Sequence, residues 1–343
     1  MAIAREIIMM KTMHYTVRFL TPAFLGNAEQ HGQWRTPPFK ALLRQWWRVV
    51  YAADKQFKVD IPAMRREEGR LFGHAWLEDD KNACGQKVAA RKSVIRLRLN
   101  APDQQAAWAV GSQQGVAPLG TGLDTSYAWF GLIKRGNGLA DRSGIKADAM
   151  AKESARQLAL AFPDALQPCM DEIMSLINAF GLLGSRSRGG WGALQVDGIN
   201  ALQAGDMQRY VRDIDVCLQD DWAMSLAQDD KGLCVWESHT ELDSWNKAMK
   251  FIARERKEVR TALKGGKDLR PALGFALPNG RMPSPLRWKV MAARPGKLAV
   301  RVFALPHCIP DEGGKKLSFQ DLQSAWRTVS GTLDNTAHLQ RLK

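Results

Sequence analysis

The sequence has few cysteines, and none in a spacing typical of redox or zinc sites. Its 343 residues include five cysteines, and no two of them form a CxxC pair: Cys84, Cys169, Cys217, Cys234 and Cys308. An odd number of widely spaced thiols does not suit a disulfide-stabilised secreted domain. We therefore expect a reduced, cytoplasmic protein.

Long apolar runs are also absent. No stretch approaches the roughly 18 apolar residues that a membrane-spanning helix needs, so we predict no membrane partner. The N-terminal residues 1–12 are rich in methionine but are interrupted by Arg5, Glu6 and Lys11. A secretory signal has a continuous apolar region, and we therefore interpret residues 1–12 as a short leader rather than a targeting signal.

Recognised catalytic patterns are missing as well. The six histidines show no metal-ligand spacing, and no GxSxG, HExxH or Walker-type GK[ST] motif is present. His31 could act as a general base in RNA cleavage, and Asp124 could support metal-assisted phosphodiester chemistry. Neither has an evident catalytic partner, so an ordinary loop residue is the alternative interpretation for both. We predict no catalytic residue, no metal and no cofactor.

What the sequence has in excess is positive charge. The formal net charge is +14. Residues 87–98 and 281–301 carry several lysines and arginines and no acid, whereas residues 206–230 are acidic. Clustered basic charge is typical of nucleic-acid binding. An anionic membrane and an acidic protein are the alternative partners for such a surface.

One basic segment is also strongly amphipathic. Pro37 and Pro38 favour the first turn of a helix, and apolar residues then recur at helical spacing: Phe39, Leu42, Leu43, Trp46, Val49 and Val50. Lys40, Arg44 and Arg48 stand four residues apart on one face with no acid among them. Such a row needs a polyanion or an acidic partner beside it. Trp46 fits the core, while Trp47 could pack there or stack on a base.

A glycine-rich loop is the most specific local feature. The sequence GSRSRGGWG at 184–192 combines four glycines with Ser185, Ser187, Arg186 and Arg188. Glycine permits positive φ and close backbone approach, and successive N–H groups can cradle a phosphodiester. The alternative interpretation is a mobile turn between two elements.

Hydrophobic periodicity predicts an α+β fold. Alternation indicates strands at 14–20, 93–99, 127–133 and 191–196, and helical spacing indicates helices at 38–53, 148–162 and 169–183. The resulting order, β-α-β-β-α-β, is that of the ferredoxin-like split βαβ arrangement.

The second part of the chain shows a related pattern. It predicts helices at 241–263 and 319–329 and strands at 233–237, 273–277, 286–292 and 298–305. In the strand 286–292, Arg287 and Lys289 share a face that we expect to be exposed. We therefore predict two related domains, residues 13–204 and residues 205–343, with the acidic segment 206–230 at the start of the second.

Several stretches also resemble a known family. They are FLTPAFLGNAEQ, RTPPFKALLRQWWRVVY, EEGRLFG and FGLLGSRSRGGWGALQV, followed in the second half by RPALGFALP, SPLRWKV and KLAVRVFALP. In these motifs the chain resembles the RAMP superfamily of CRISPR proteins, and within it the first-subunit family of the type III-B Cmr effector complex. The resemblance implies two fused ferredoxin-like (RRM-like) domains.

The resemblance also implies an RNA-binding site. In the family, arginines of the helix and the glycine-rich loop contact the RNA backbone. The matching residues here are Arg35, Lys40, Arg44, Arg48, Gly184, Ser185, Arg186, Ser187, Arg188, Gly189 and Gly190.

The implied role is a non-catalytic subunit for antiviral defence that holds the 3′ part of the guide (crRNA) and the guide–target duplex. Its partners would be guide RNA, target RNA and other RAMP subunits. The alternative is a RAMP-type endoribonuclease that uses His31 or Asp124. A general DNA-binding protein is a third hypothesis, disfavoured because no helix-turn-helix or zinc-finger pattern is present.

Overall fold

The structure is a computed structural model that describes residues 9–26, 33–100, 107–109, 128, 143–145, 155–277, 280–309 and 317–343. Both candidate catalytic residues, His31 and Asp124, lie outside the described residues. So does the predicted strand 127–133, apart from Ala128.

The first half of the chain is built around a four-stranded antiparallel sheet. Its elements are β1 (Met10–Phe19), α1 (Thr36–Asp54), α2 (Ile61–Phe72), β2 (Arg96–Asn100), β3 (Ala107–Ala109), β4 (Ser143–Ile145), β5 (Arg156–Pro163), α3 (Gln167–Phe180) and β6 (Leu194–Val196). The sheet has the order β2-β5-β1-β6. The short strands β3 and β4 pair with each other.

The first strand and the first helix follow the predicted patterns. In β1, Tyr15, Val17 and Phe19 are buried and the residues between them are not, as expected for a strand with one face on the core. In α1 the predicted apolar stripe is buried, and the Trp46 ring stacks on Phe180 of α3 at 5.5 Å between centroids. The two helices thus pack against each other over the core.

The predicted helix 148–162 is wrong where the chain is described. Residues Arg156–Pro163 form β5, the strand that joins β1 to β2 in the sheet. Leu158, Leu160 and Phe162 alternate with more exposed neighbours, which is the period of a strand. The alanines and leucines favour a helix by propensity, but pairing on both edges of β5 outweighs that preference.

The second half contains a connecting region and a second four-stranded sheet. The connecting region comprises α4 (Ala204–Met207), β7 (Val211–Asp213), α5 (Ile214–Cys217), β8 (Leu226–Asp229) and β9 (Gly232–Leu233). The remaining elements are β10 (Val235–Ser238), α6 (Trp245–Ala262), β11 (Phe275–Leu277), β12 (Gly280–Met282), β13 (Leu286–Arg294), β14 (Lys297–Ala304), α7 (Phe319–Asp334) and β15 (Leu339–Arg341).

The two main sheets have the same topology. The second sheet has the order β13-β14-β10-β15, and every neighbouring pair is antiparallel. If the four strands of each sheet are numbered along the chain, both sheets read 2-3-1-4. The hydrophobic core runs through both halves, with Phe180 of α3 and Phe303 of β14 in contact at 4.8 Å between ring centroids.

The expected exposed basic face on β13 is wrong. Lys289 is 1% exposed, and Arg287 and Arg301 are also buried. The Lys289 ammonium donates to the carbonyl oxygens of Ile177 and Asn178, at 3.1 and 2.6 Å. This face of the second sheet therefore lies against the first half of the chain rather than against solvent.

Candidate nucleic-acid interface

The glycine-rich loop follows α3 and turns back into β6. Gly184 and Gly190 have φ of 92° and 96°, and Arg186 has a φ of 57°, so the backbone passes repeatedly through the left-handed region that glycine tolerates best. A Cβ at Gly184 would lie 2.7 Å from the carbonyl oxygen of Phe24. The loop conformation therefore requires glycine at this position.

The N–H of Gly192 donates to the Pro22 carbonyl at 2.9 Å, and three N–H groups at predicted site positions of the loop are also used inside the protein. Ser185 donates to the Phe24 carbonyl at 3.0 Å, Gly189 to Arg186 at 2.9 Å, and Gly190 to Ser187 at 3.0 Å. The prediction that successive N–H groups cradle a phosphate is therefore wrong for these three positions. The predicted contribution of the loop then falls to its side chains, above all those of Arg186 and Arg188.

Gly189 and Gly190 are buried against the second half. A Cβ at Gly190 would lie 2.6 Å from Cδ1 of Ile252 in α6, and one at Gly189 would overlap the Arg256 guanidinium. Trp288 of β13 donates its N–H to the Arg188 carbonyl at 3.1 Å. The positive φ and close packing at Gly190 thus require glycine there, whereas at Gly189 the overlap is with the end of a flexible side chain.

The cationic row on α1 has an acidic partner within the chain. Arg44 Nε donates to Glu68 Oε1 at 2.6 Å, and Arg48 donates to both oxygens of the same carboxylate at 3.0 and 2.8 Å. Glu68 lies on α2 and is 4% exposed. Because Glu68 lies 24 and 20 residues from Arg44 and Arg48 in the sequence, the helical pattern of α1 could not reveal this partner.

The two arginines nevertheless remain accessible. The side chains of Arg44 and Arg48 are 42% and 39% exposed, and two guanidinium groups on one carboxylate leave a net positive charge. Lys40, one turn earlier, has a pKa lowered by burial and by the nearby charge of Arg44. Arg35 is exposed and stands at the N-cap of α1. Lys40, Arg44 and Arg48 thus stand on one side of α1, and only Arg35 lies apart from this row, at the start of the helix.

The structure settles the role of Trp47 in the protein. Its side chain is 3% exposed and contacts the rings of Tyr51 and Phe72, at 5.0 and 6.0 Å between centroids. Trp47 therefore packs in the core, like Trp46.

An exposed aromatic residue that the sequence analysis did not identify lies nearby. Trp76 follows α2 and is 87% exposed. It lines a groove of about 510 Å³ together with Arg44, Arg48 and Trp222. The only sequence signal was a tryptophan in an otherwise polar stretch, GHAWLEDD.

The contacts among the described residues show that the cationic row of α1 and the glycine-rich loop are held by different elements of the fold. The α1 row is bonded to α2, and the loop packs on α6 and β13. The segment between Asp220 and Trp222 links their surroundings: Trp222 lines the groove beside Arg44, and the Asp220 carbonyl accepts from the N–H of Cys308 at 2.8 Å.

The described part of the chain offers neither a metal site nor a membrane-spanning helix. No group of three His, Cys, Asp or Glu residues there could hold a metal ion. No described helix combines the length and apolar character needed to span a membrane.

Comparison with known proteins identifies the fold. The chain superposes on Cmr1 from Pyrococcus furiosus (apo form) with a TM-score of 0.52 and 14% identity, covering 97% of this chain and 98% of that one. A chain of the type III-B Cmr-beta complex bound to cognate target RNA matches with a TM-score of 0.46 and 10% identity, over 94% of this chain and 99% of that one. A second Cmr-beta structure, bound to cognate target RNA and AMPPnP in the presence of ssDNA, gives 0.45 and 11%, over 93% and 99%.

Comparison at the level of sequence finds no relatives. No family model and no curated protein matches the chain. At 14% identity, the likeness to Cmr1 over nearly the full length of both chains establishes a shared fold. The resemblance predicted from the sequence motifs is therefore confirmed in the structure, and this chain has a Cmr1-like fold.

Proposed function

We propose that this protein is a non-catalytic, RNA-binding subunit of a type III CRISPR RNA-guided effector complex, where it holds the 3′ part of the guide RNA and the guide–target duplex. The observation that carries the proposal is the Cmr1-like fold, which extends over 97% of the chain. Guide RNA, target RNA and other RAMP subunits are then its partners, and the cytoplasm is its location.

We further propose that the halves are two fused ferredoxin-like domains. The support is the shared 2-3-1-4 strand order of the two antiparallel sheets, because the ferredoxin-like fold arranges β-α-β-β-α-β in one such sheet. The division at residues 13–204 and 205–343 belongs to this proposal, although β1 begins at Met10, inside the predicted leader.

The proposed binding mode is electrostatic. Glu68 fixes the guanidinium planes of Arg44 and Arg48 while leaving both side chains about two-fifths exposed. Side chains held in place lose less conformational entropy when they bind a ligand. In this proposal, further phosphates of the RNA contact Lys40 and Arg35 on α1 and, on the separately held loop, Ser185, Arg186, Ser187 and Arg188. Contacts to phosphates orient the RNA but do not read its sequence.

The proposal is tested by RNA affinity over a series of salt concentrations. The Arg44→Ala, Arg186→Ala double variant should bind labelled single-stranded RNA more weakly and with a shallower salt dependence, by about 0.7 in the log–log slope for each lost phosphate contact. The matched control is Arg327→Ala with Lys343→Ala, which removes the same charge from two exposed positions.

Two outcomes would contradict the proposal. An RNA affinity of the unaltered protein that is nearly independent of salt would exclude a phosphate-based binding mode. Equal affinities of the double variant and the unaltered protein would remove Arg44 and Arg186 from the site. Circular dichroism and melting temperature would establish that each variant keeps its fold.

A further inference from the structure

Two arginines from different halves of the chain meet beneath the glycine-rich loop. Arg188 lies in the loop, and Arg287 is the second residue of β13. The backbone holds them together, because the N–H of Trp288 donates to the Arg188 carbonyl at 3.1 Å and Gly189 forms a β-bridge with Trp288. Their proximity therefore follows from the main-chain fold and not from flexible side chains alone.

Arg287 is buried and Arg188 is half-buried, and neither has a counter-charge among the described residues. Arg287 is 9% exposed, and its Nε is a buried donor without a hydrogen-bond acceptor. Within the described ranges, no carboxylate contacts either guanidinium. The nearby carboxylate of Asp220, which raises the pKa of His307, forms an ion pair with Arg212 instead. Buried charges in proteins are normally paired, because desolvation is costly.

The electrostatics of this cluster favour the binding of an anion. Burial lowers the pKa of Arg188 to about 10, and burial together with repulsion from Arg188 lowers that of Arg287 to about 9. His307 belongs to the same cluster: its pKa is lowered by burial and by both arginines. A bound anion would relieve the repulsion in this cluster and would satisfy the orphaned donor.

We propose that Arg188 and Arg287 form a pocket for a single phosphate of a bound RNA strand, at the junction of the two halves. This inference rests on the proposed RNA-binding function and deepens it, since it adds Arg287, a residue of the second half, to the site. The planar fork of a guanidinium matches the oxygens of a phosphate, and two forks from different directions can grip one group.

The surroundings favour RNA over an acidic protein as the source of the anion. The segment 220–222 connects this cluster to the groove that contains Arg44, Arg48 and the exposed Trp76. For an RNA strand with one phosphate at this pair, the groove would offer cations for further phosphates and an exposed aromatic side chain for a base. Single-stranded nucleic acids are typically bound by this combination of charge and stacking.

The test compares unaltered protein with Arg287→Met, using a fluorescein-labelled single-stranded RNA. We expect at least about tenfold weaker binding, the scale of a lost charge-assisted contact, and a log–log salt slope shallower by about 0.7. The melting temperature of the free variant should equal or exceed that of the unaltered protein, because an unpaired buried charge has been removed. Arg327→Met, on the exposed face of α7, is the matched control.

The inference requires Arg287→Met to lower RNA affinity without lowering the melting temperature, and either result alone can contradict it. Unchanged RNA affinity in Arg287→Met overturns it and leaves the proposed function intact, even if binding of an acidic partner protein is lost. A lower melting temperature of the free variant also overturns it, because Arg287 would then stabilise the fold. If Arg287→Met does not fold, Arg188→Met is measured by the same criteria. Absence of RNA binding by the unaltered protein overturns both the inference and the proposed function.

Discussion

The ammonium group of Lys289 lies 2.6 Å from the carbonyl oxygen of Asn178, although the two residues belong to different halves of the chain. Lys289 also donates to Ile177, and Arg301 of β14 donates to Ala179 at 3.2 Å. These carbonyls form the C-terminal end of α3, where a helix carries partial negative charge. Two basic side chains of the second sheet therefore bond the end of a helix of the first half and help to join the halves.

The environment of Lys289 predicts a pH-dependent stability. Burial, and then the charge of Arg301, lowers its pKa well below the usual value. The unfolded chain therefore binds more protons than the folded one between the folded pKa and about 10.4, and stability rises with pH across that window. The Lys289→Met variant lacks this titrating group, and its stability therefore lacks this rise with pH.

The measurement is urea unfolding of unaltered protein and Lys289→Met from about pH 7 to about pH 10. We expect the variant to be less stable, since the Asn178 carbonyl loses a buried donor. The difference between the two proteins should widen as the pH rises. A difference that is constant with pH would show that Lys289 has an ordinary pKa. Lys250→Met, on the exposed surface of α6, is the control.

Gly190→Ala should test the packing role of the loop. Gly190 has a φ of 96°, and an added Cβ would press on Ile252. We expect a loss of roughly 1–3 kcal/mol in the free energy of unfolding from backbone strain. RNA affinity should fall as well, because the neighbouring Arg188 is displaced. Gly265→Ala, where the space around the Cβ position is open, should change neither quantity. Full stability in Gly190→Ala would contradict the close contact with α6.

Trp76→Ala should weaken binding of single-stranded RNA and leave the fold unchanged. Stacking of one base on an aromatic side chain contributes ~1–3 kcal/mol, and a side chain that is 87% exposed contributes little to the core. Phe319→Ala, at the start of α7 and 40% exposed, is the control. RNA affinity equal to that of the unaltered protein would show that Trp76 serves another purpose, such as contact with a neighbouring subunit.

The purified protein should not cleave RNA. The proposed function assigns it a binding role, and the endoribonuclease alternative depends on His31 and Asp124. Guide-repeat RNA and target RNA are incubated with the protein, with and without Mg²⁺, and resolved by gel electrophoresis. Specific cleavage that disappears in His31→Ala or Asp124→Ala would overturn the non-catalytic proposal. Cleavage that persists in both variants would indicate a contaminating nuclease.

Local patterns in the sequence were sufficient for much of the fold. The helix predicted at 38–53 is observed as Thr36–Asp54, and the helix predicted at 241–263 as Trp245–Ala262. In both, the apolar positions recur at 3.6 residues and the pattern alone specifies which face is buried. The motifs around the α1 helix and the glycine-rich loop also carried the resemblance to Cmr1. These features depend on neighbours within a few residues, and so the sequence by itself determined them.

Only the tertiary structure decided which charges meet. The pairing of Arg44 and Arg48 with Glu68, the burial of Lys289 against α3, and the meeting of Arg188 with Arg287 all join residues that are distant in the chain. For the same reason 156–163 became a strand, since its partners β1 and β2 lie elsewhere in the sequence. A local pattern reports the preference of a segment, whereas burial and pairing depend on what the fold places beside it.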